Sequence, residues 1–558
     1  MDLTAIVRQG FEKAFPGEDF SSVKVVPATD PKFGDYQCND ALKVAKKVGL
    51  KPREAAEKVA ANIGDALSVE VAGPGFLNLT VSPQWLAARL DERAAQPAAG
   101  IPQSGAGKRI VIDYSSPNAA KQMHIGHIRS TVIGNALDRI FRALGYEVVA
   151  DNHLGDWGTQ FGILIKGYRE CLTQEERDNL TVANLEKCYV LSAAKAKEED
   201  GVWKNACREE LVKLQQGDGE NLALWKRFID ISIGEFERMY AKLGVSFDTY
   251  RGESYYNTMM PGIVERLEKM GLAKESEGAL IVDLSEEKLG VAIVRKSDGG
   301  YNYTTSDLAC VESRVADYDP ERIIYVTDDR QQLHFRQFFS ISAKLGFQAR
   351  LVHVPFGLMS FQGKAISTRE GNLIRLEELL SEAKRRARAI VEGRAPEGTD
   401  LDALAEAIGY GAVKYADLSH DPGTAIDFDW DKALALEGNS GPYLQYAYAR
   451  VCSLLEKAGA GDVSRFPFRV ETPSEKRLAL QLLEFPGAVV RAAEAYKPSV
   501  LAEYLFQTAQ LYSSFYQNSP VLKSEESVRN ARLRLCSLFG EVLKTGLSLL
   551  GIETPRRI

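Results

Sequence analysis

The sequence predicts an α/β protein with three parts: a Rossmann-like parallel-sheet domain carrying a helical insertion, a small α+β domain before it and an all-α domain after it. Short apolar strands alternate with helical stretches from Arg109 onward, which is typical of parallel sheets. A mostly helical section at about 175–245 separates the strands into two groups. Beyond about residue 435 the apolar period is helical nearly to the end of the chain.

The length and composition indicate several globular domains. With 558 residues, the chain is too long for one compact core, and three or four domains are expected. No apolar run approaches the roughly 18 residues that span a bilayer, so we expect no membrane association. The beginning, MDLTAIVRQGFEKAF, has early acids and no apolar core before a cleavage site, which disfavours a secretory signal and a mitochondrial transit peptide.

The cysteines and the net charge bear on the cellular compartment and on nucleic-acid binding. The seven cysteines are scattered, odd in number and without C-x-x-C spacing, which argues against a disulfide framework and a cysteine zinc site. A cytoplasmic location is therefore predicted. The net charge of −7 neither supports nor excludes nucleic acid, because binding needs only a local basic face.

The first part of the chain reads as a small α+β unit over residues 1–93. Helices are predicted near 2–14 and 39–63, and strands near 22–27 and 76–81. The following stretch, 94–108, is rich in Ala, Gly and Pro and is typical of a linker.

The α/β part begins with the apolar strand RIVIDYS at Arg109. A turn follows, then a helix to about Leu144 and a second strand at 146–151. Further strands are predicted at 322–327 and 351–355. Because ligands of such sheets bind beyond the carboxyl ends of the strands, we expect a binding site at the turns that follow these strands.

The strongest constellation is SSPNAAKQMHIGHIRS at 115–130, directly after the first strand and opening a helix. A helix N-terminus offers free N–H groups and a positive dipole end to phosphates. His124 and His127 lie one turn apart, so both rings can face one point, and Gly126 lets a base or ribose approach the backbone. Two imidazoles there can stabilise charge on a phosphate during in-line displacement.

Two other interpretations of these histidines stay open: a helix start with surface histidines, or a metal pair at i, i+3. Since no Cys or further His lies close in sequence and the strand–turn–helix placement suits a nucleotide, nucleotide binding is favoured over metal binding. No metal site formed by protein ligands is predicted.

The string His124-Ile125-Gly126-His127 resembles the HIGH signature of class I aminoacyl-tRNA synthetases. The wider string around it, and HLGDWGTQFG at 153–162, resemble the arginyl-tRNA synthetases in particular, and the resemblance extends through nearly the whole chain. It implies ATP-dependent attachment of L-arginine to tRNA(Arg) through arginyl adenylate, with Mg²⁺ accompanying ATP. It also implies a monomer, and tRNA binding before efficient activation.

The same resemblance identifies GKAISTREGN, 363–372, with the mobile loop that binds the pyrophosphate end of ATP in class I enzymes. Thr368 stands where the second lysine of that loop is usual, and a lysine just before HIGH is thought to substitute, here Lys121. The charge on the phosphates is then expected from Lys121, Lys364 and Arg369, and further ATP contacts from Ser367 and Thr368. His334, which opens a helix after the strand at 322–327, is expected near ATP.

This loop has two other interpretations. A solvated basic loop is the more common fate of such a stretch. A phosphate-binding P-loop fails because Gly357 and Gly363 are separated by five residues rather than four, and Ala365 stands where Ser or Thr is required. No G-x-G-x-x-G follows a strand either, which disfavours a dinucleotide dehydrogenase.

Arginine requires carboxylates placed for a planar guanidinium. Tyr303 and Asp307 lie four apart at the start of a predicted helix, hence on one face. By resemblance these two meet the guanidinium with Gln331 nearby, Asn118 holds the α-amino or carbonyl end, and Asp113 binds directly, through water or at the α-amino group. Without the resemblance, the sequence favours a different role for Asp307, as an acid that stabilises the helix dipole. No editing domain is expected, because a polar site with paired acids rejects lysine and citrulline.

The resemblance also divides the chain by role. It predicts an N-terminal tRNA-elbow-binding domain at 1–93, a catalytic domain at 109–390, a connective helical region at 391–434 and a helical anticodon-binding domain at 435–558. Phe76 and Asn78 are predicted to contact a D-loop base, although Phe76 is also a plausible strand core residue. Other tRNA contacts are predicted at Tyr443, Gln445 and Arg450, where the alternative is a helix bundle with core tyrosines.

Two rival functions remain at this point. One is a non-catalytic tRNA-binding protein on the same scaffold, against which the intact Lys121, His124 and His127 argue. The other is a class I ligase for a different amino acid such as cysteine, against which the Tyr303 and Asp307 pair and the lack of a cysteine cluster argue.

Overall fold

The computed structural model describes residues 3–197, 201–361 and 374–558, together with the backbone of 364–365. Two compact units are found. The terminal unit comprises Met1–Ile101, Arg450–Ala488 and Tyr504–Thr545, and the central unit comprises Pro102–Ala449, Val489–Glu503 and Gly546–Ile558. Within the described residues, no helix is both long and apolar enough to cross a lipid bilayer.

The N-terminal part of the terminal unit is an antiparallel sheet with helices. Its elements are α1 (Leu3–Ala14), β1 (Val26–Pro27), β2 (Tyr36–Cys38), α2 (Ala41–Val48), α3 (Pro52–Ala60), β3 (Leu67–Ala72), β4 (Phe76–Val81) and α4 (Pro83–Ala94). The strand order is β1-β2-β4-β3. The predicted strand at 76–81 is confirmed as β4. The strand predicted at 22–27 corresponds to β1, which is only two residues long, and strands β2 and β3 were not predicted.

The central unit begins with the predicted strand, helix and strand, followed by the helical insertion. These elements are β5 (Arg109–Asp113), α5 (Ile125–Ala143), β6 (Glu147–Asp151), α6 (Thr159–Cys171), α7 (Gln174–Asp178), α8 (Val182–Lys195), α9 (Val202–Gln215) and α10 (Gly219–Leu243). The apolar core of the insertion includes Phe161, Leu185 and Phe228, and also Ala119 and Ala120 of the turn between β5 and α5. The insertion therefore supports that turn.

The second half of the parallel sheet follows a small three-stranded antiparallel sheet that the sequence pattern did not predict. The elements are α11 (Glu253–Tyr256), α12 (Met260–Lys269), β7 (Ala273–Ser276), β8 (Ala279–Asp283), β9 (Val291–Arg295), α13 (Tyr303–Tyr318), β10 (Arg322–Asp328), α14 (Gln332–Lys344) and β11 (Arg350–Phe356). Val111, Ile323 and Phe338 belong to the apolar core that joins the sheet to α12, α13 and α14.

The parallel sheet has the strand order β11-β10-β5-β6, with every pair parallel. The chain leaves β5 toward β6 on one side, and leaves β10 toward β11 on the other. The carboxyl ends of β5 and β10 thus form a topological switch point, where open α/β sheets bind their ligands. The predicted Rossmann-like parallel sheet is confirmed.

The remaining elements of the chain are mostly helices. They are β12 (Met359–Phe361), β13 (Lys364–Ala365), α15 (Leu376–Val391), α16 (Leu401–Leu418), β14 (Ile426–Phe428), α17 (Trp430–Ala433), α18 (Gly441–Ala458), α19 (Pro473–Leu483), α20 (Phe485–Ala495), α21 (Pro498–Asn518) and α22 (Glu526–Leu549). In the terminal unit, Tyr512 of α21 stacks on Phe539 of α22 with ring centroids 4.0 Å apart. The helical character predicted beyond residue 435 is confirmed.

Candidate active site at the switch point

A cavity of about 490 Å³ lies at the switch point. Its walls include Asp113, Ser115 and Ser116 at the end of β5 and residues 325–328 at the end of β10. Eight of the site residues proposed from the sequence line it: Asp113, Asn118, Gly126, His127, Tyr303, Asp307, Gln331 and His334. The structure therefore brings together side chains that lie up to 221 residues apart in sequence, from Asp113 to His334.

The turn that leads from β5 into α5 holds an unusual backbone. Ser115, Ser116 and Ala120 have φ of 71°, 46° and 61°, a region in which non-glycine residues cost about 1–3 kcal/mol each. Two buried hydroxyls hold the turn: the Ser115 N–H donates to Ser130 Oγ at 2.8 Å, and the Ala120 N–H donates to Ser232 Oγ at 2.9 Å. The strained turn is thus fixed by contacts to α5 and to the insertion.

The two histidines cap α5 reciprocally. The Gly126 N–H donates to His124 Nδ1, and the His124 N–H donates to His127 Nδ1, both at 3.1 Å. The ring centroids are 3.9 Å apart. Because each Nδ1 accepts a hydrogen bond, each neutral ring carries its proton on Nε2, which is then a donor for a ligand. A Cβ at Gly126 would lie 2.8 Å from His124 Cε1, so a side chain there would force the His124 ring to shift.

Burial keeps both imidazoles neutral. Burial, with a smaller contribution from the positive charge of Lys121, lowers the pKa of His124. Burial also lowers the pKa of His127 to about 3, with further lowering by His124 and Lys121 and partial opposition from the backbone hydrogen bond at His124. The helix therefore presents uncharged N–H donors, with the charge of Lys121 close enough to act on both rings.

The same cavity is lined by carboxylates, and the segments that carry them are called the carboxylate wall. Tyr303 and Asp307, at the start of α13, both line the cavity, as their spacing of four predicted. Tyr303 is 68% exposed, so a ligand can reach its hydroxyl. Asp307 Oδ2 lies 2.5 Å from Nε2 of His334. The residue expected to bind arginine, Asp307, is therefore in direct contact with His334, which is expected to bind ATP.

Glu253, at the start of α11, is a cavity residue that sequence reasoning missed. Burial raises the pKa of Glu253 to about 7; His153 lowers it, and the neighbouring carboxylates of Asp156 and Asp307 raise it again. No ion pair to its side chain occurs within the described ranges. A half-buried carboxyl beside a second one is suited to a cationic ligand, since a cation would favour ionisation of both.

Asp113 is already committed to protein partners. Its Oδ2 accepts a hydrogen bond at 2.6 Å from the fully buried Arg314, which also binds Asp151 at 2.8 Å. Its Oδ1 accepts from the hydroxyl of Ser116 at 2.9 Å. Asp113 lines the cavity, but this geometry favours a role in joining β5, β6 and α13 over direct binding of a second guanidinium.

The segment after β12 carries the loop expected to bind pyrophosphate. Ser367, Thr368 and Arg369 lie outside the described residues, as does the side chain of Lys364. The backbone that follows is paired with the histidine segment, because the Ile125 N–H donates to Ile374 O at 3.1 Å. Ile374, which follows this loop in the chain, therefore lies beside the start of α5.

A buried arginine fixes the near end of the same segment. The Arg129 side chain, 1% exposed, forms an ion pair with Asp417 at 3.0 Å. Its Nη1 donates to Gly357 O at 2.6 Å and to Thr424 O at 2.8 Å. Arg129 thus ties α5 to α16 and to the backbone just before β12.

The side chains expected to contact tRNA do not share one environment. Phe76 is half-buried on β4, and the buried Asn78 accepts a hydrogen bond from Gln37 Nε2 at 2.8 Å. On α18, Tyr443 is half-buried and Arg450 is exposed. Gln445 is fully buried, and its amide donates to backbone carbonyls of Ala407 and Glu553. That position of Gln445 favours a structural role.

Within the described part of the chain, no group of three or more His, Cys, Asp or Glu side chains is placed to hold a metal ion. The cavity is instead lined by the neutral imidazole of His127 and by the carboxylates of Glu253 and Asp307. His124 and Lys121 do not line the cavity, but both lie close enough to His127 to act on its ring. Imidazole donors suit an anion and the carboxylates suit a cation.

Three protein families match successive parts of the chain. Residues 1–81 match the arginyl tRNA synthetase N terminal domain, residues 93–430 match the class I (R) tRNA synthetase catalytic domain, and residues 444–558 match the DALR anticodon binding domain. The site described above lies wholly within the second of these.

Individual relatives agree over the whole length. An arginine–tRNA ligase of Fusobacterium nucleatum is 43% identical over 99% of this chain and 98% of its own. The solved arginyl-tRNA synthetases of Plasmodium falciparum and Thermus thermophilus superpose with TM-scores of 0.84 and 0.82, at 28% and 26% identity. They match 100% of this chain, and 98% and 99% of their own lengths.

Proposed function

This chain belongs to the arginyl-tRNA synthetase family, and we propose that its switch-point cavity performs the reaction of that family. The reaction is the ATP-dependent attachment of L-arginine to tRNA(Arg) through arginyl adenylate, with release of AMP and pyrophosphate. The observation that carries the proposal is one cavity lined both by His127 and by the carboxylates of Glu253 and Asp307. His127 is paired with His124 at the start of α5.

In the first step an oxygen of the arginine carboxylate attacks the α-phosphorus of ATP, whose phosphates carry Mg²⁺ as part of the substrate. The new oxygen–phosphorus bond replaces the bond to the leaving pyrophosphate. The Nε2–H groups of His124 and His127 donate to phosphate oxygens as charge grows on them. Lys121, Lys364 and Arg369 supply positive charge at the pyrophosphate end.

The other residues proposed to contact ATP are Gly126, Ser367, Thr368 and His334. Gly126 leaves the start of α5 open to the nucleotide. Ser367 and Thr368 contact the phosphates from the loop. His334 contacts ATP while Asp307 orients its ring.

Arginine lies along the carboxylate wall. Asp307 and Glu253 face the guanidinium, Tyr303 and Gln331 complete its hydrogen bonds, and Asn118 holds the α-amino or carbonyl end. Two carboxylates reject uncharged citrulline, because their charges would stay unmatched. Asp113 supports the site indirectly through its ion pair with Arg314, or binds the α-amino group of arginine through a water molecule.

In the second step a hydroxyl of the terminal tRNA ribose attacks the adenylate carbonyl, and AMP leaves. We assign the tRNA elbow to domain 1–93 through Phe76 and Asn78, and the anticodon to domain 435–558 through Tyr443 and Arg450, with Gln445 supporting that helix. Linker 94–108, catalytic domain 109–390 and connective region 391–434 lie between. Residues 521–558, with seven Lys or Arg and four Glu, carry a local charge of +3 that suits this partner.

We also propose that the enzyme is a cytoplasmic monomer and that tRNA binding precedes efficient activation. The test is arginine-dependent exchange of labelled pyrophosphate into ATP, with and without tRNA(Arg). Exchange that requires tRNA supports both the reaction and its order. Equal exchange in both samples would exclude the tRNA requirement, and no exchange in either would exclude the enzymatic function.

A further inference from the structure

The helical insertion contacts the lysine that precedes the histidine pair. The Lys121 ammonium lies 5.2 Å from the ring centroid of Tyr189, on α8 of the insertion. No hydrogen bond or ion pair to Lys121 is found among residues 3–197, 201–361 and 374–558. The face of the tyrosine ring is thus the contact that the described structure gives this ammonium.

Tyr189 is well supported for such a role. Its ring packs against the apolar core of the insertion, which includes Ala119 and Ala120, the two residues before Lys121. The Ala120 N–H is held by Ser232 of α10 at a backbone conformation with φ of 61°. The insertion therefore fixes both the backbone before Lys121 and the end of its side chain.

The direction of Lys121 matters to the histidines. Its charge acts on both His124 and His127, lowering the pKa of each. A lysine side chain has four rotatable bonds and a large rotamer entropy, so an unheld ammonium would spend much of its time in solvent. A cation above an aromatic face is held without a carboxylate that would neutralise it.

We propose that Tyr189 is a positioning residue that holds the Lys121 ammonium, by its aromatic face, toward the phosphates of ATP. The proposal rests on the proposed function, in which Lys121 supplies charge to those phosphates. It gives the helical insertion a part in the chemistry of the first step. A tyrosine there restrains the ammonium and leaves its full charge available to the substrate.

The test compares substitutions at Tyr189 by steady-state pyrophosphate exchange with tRNA present. Tyr189→Leu and Tyr189→Met remove the aromatic face, and each should lower kcat about fivefold while the KM for arginine changes less than twofold. Tyr189→Phe keeps the face and should retain at least half of the wild-type kcat. Thermal unfolding of each variant checks that the fold is kept.

A matched control lies in the same insertion. Trp203 of α9 lies under the ammonium groups of Lys195 and Lys166, at 4.3 Å and 5.1 Å from its ring centroid. Like Tyr189 it does not line the cavity, but the lysines that it contacts are not among the residues proposed to bind ATP. Trp203→Leu removes a similar contact and should leave kcat within twofold of wild type. A loss equal to that of Tyr189→Leu would point to general loosening of the insertion and overturn the proposal.

A double-mutant comparison isolates the coupling. In a Lys121→Gln background, Tyr189→Leu should change the residual exchange less than twofold, because the ammonium it positions is gone. A further fivefold loss in that background, or full activity of Tyr189→Leu alone, would overturn the inference. A wild-type enzyme without exchange would overturn the proposed function itself, so the two failures are distinguishable.

Discussion

The two walls of the cavity are built in different ways. The imidazole wall, His124 and His127, comes from one contiguous stretch, in which a strand, a strained turn and a helix cap follow one another within 109–130. The carboxylate wall is assembled from separate segments: Glu253 begins α11, Asp307 lies near the start of α13, and the start of α14 adds only uncharged partners. A local wall can be found from sequence spacing, whereas an assembled wall depends on how distant helices pack.

Burial has the same physical effect on both walls but a different chemical result. It disfavours the charged form, so it lowers the pKa of His127 to about 3 and raises the pKa of Glu253 to about 7. The histidines are therefore neutral donors near neutral pH before a ligand binds. The glutamic acid needs a cation beside it to ionise fully near neutral pH, so only the carboxylate wall should respond to pH in that range.

The largest effect is expected from His127→Ala. Loss of a preorganised donor to the phosphates should lower kcat for pyrophosphate exchange about 100-fold or more, with little change in the KM for arginine. His420→Ala, at an exposed histidine outside the cavity, is the control and should be neutral. Wild-type kcat in His127→Ala would remove the imidazole wall from the mechanism.

A smaller loss, confined to arginine, is expected from Asp307→Asn. The substitution keeps the shape but removes a charge from the carboxylate wall, so kcat/KM for arginine should fall about 50-fold. The KM for ATP should change only through the contact of Asp307 with His334, by less than about fivefold. If ATP were affected more strongly than arginine, the assignment of the two walls would be reversed.

The smallest of the three effects is the pH dependence of arginine binding. Because the raised pKa of Glu253 leaves it mostly protonated at pH 6 and mostly ionised at pH 8, the Kd for arginine should rise about tenfold from pH 8 to pH 6. Glu253→Gln should bind more weakly at pH 8 and show a flat profile. Calorimetric titration of both proteins measures this, and a parallel slope in the two would exclude Glu253 as the source.

The difference between the local and the assembled wall also explains which features the sequence could predict. The strand–turn–helix around His124 and His127 and the shared face of Tyr303 and Asp307 follow from local spacing, and the structure contains both. Glu253 has no periodic or motif signal, because it reaches the cavity only through the position of α11.

Other features depended on long-range contacts in the same way. The commitment of Asp113 to Arg314 joins residues 201 apart in sequence, and no local pattern encodes that pairing. The small sheet β7-β8-β9 was missed because short, half-exposed strands give a weak apolar alternation. Gln445 stands in a stretch that resembles a tRNA-binding helix, yet its burial depends on the distant carbonyl groups that it meets.

The most direct measurement is a crystal structure with L-arginine and a non-hydrolysable ATP analogue bound. The guanidinium is expected within hydrogen-bond distance of Asp307 and Glu253, and the α-phosphate within hydrogen-bond distance of Nε2 of His124 or His127. A guanidinium bound away from both carboxylates, or phosphates bound on the far side of the cavity from the histidines, would contradict it.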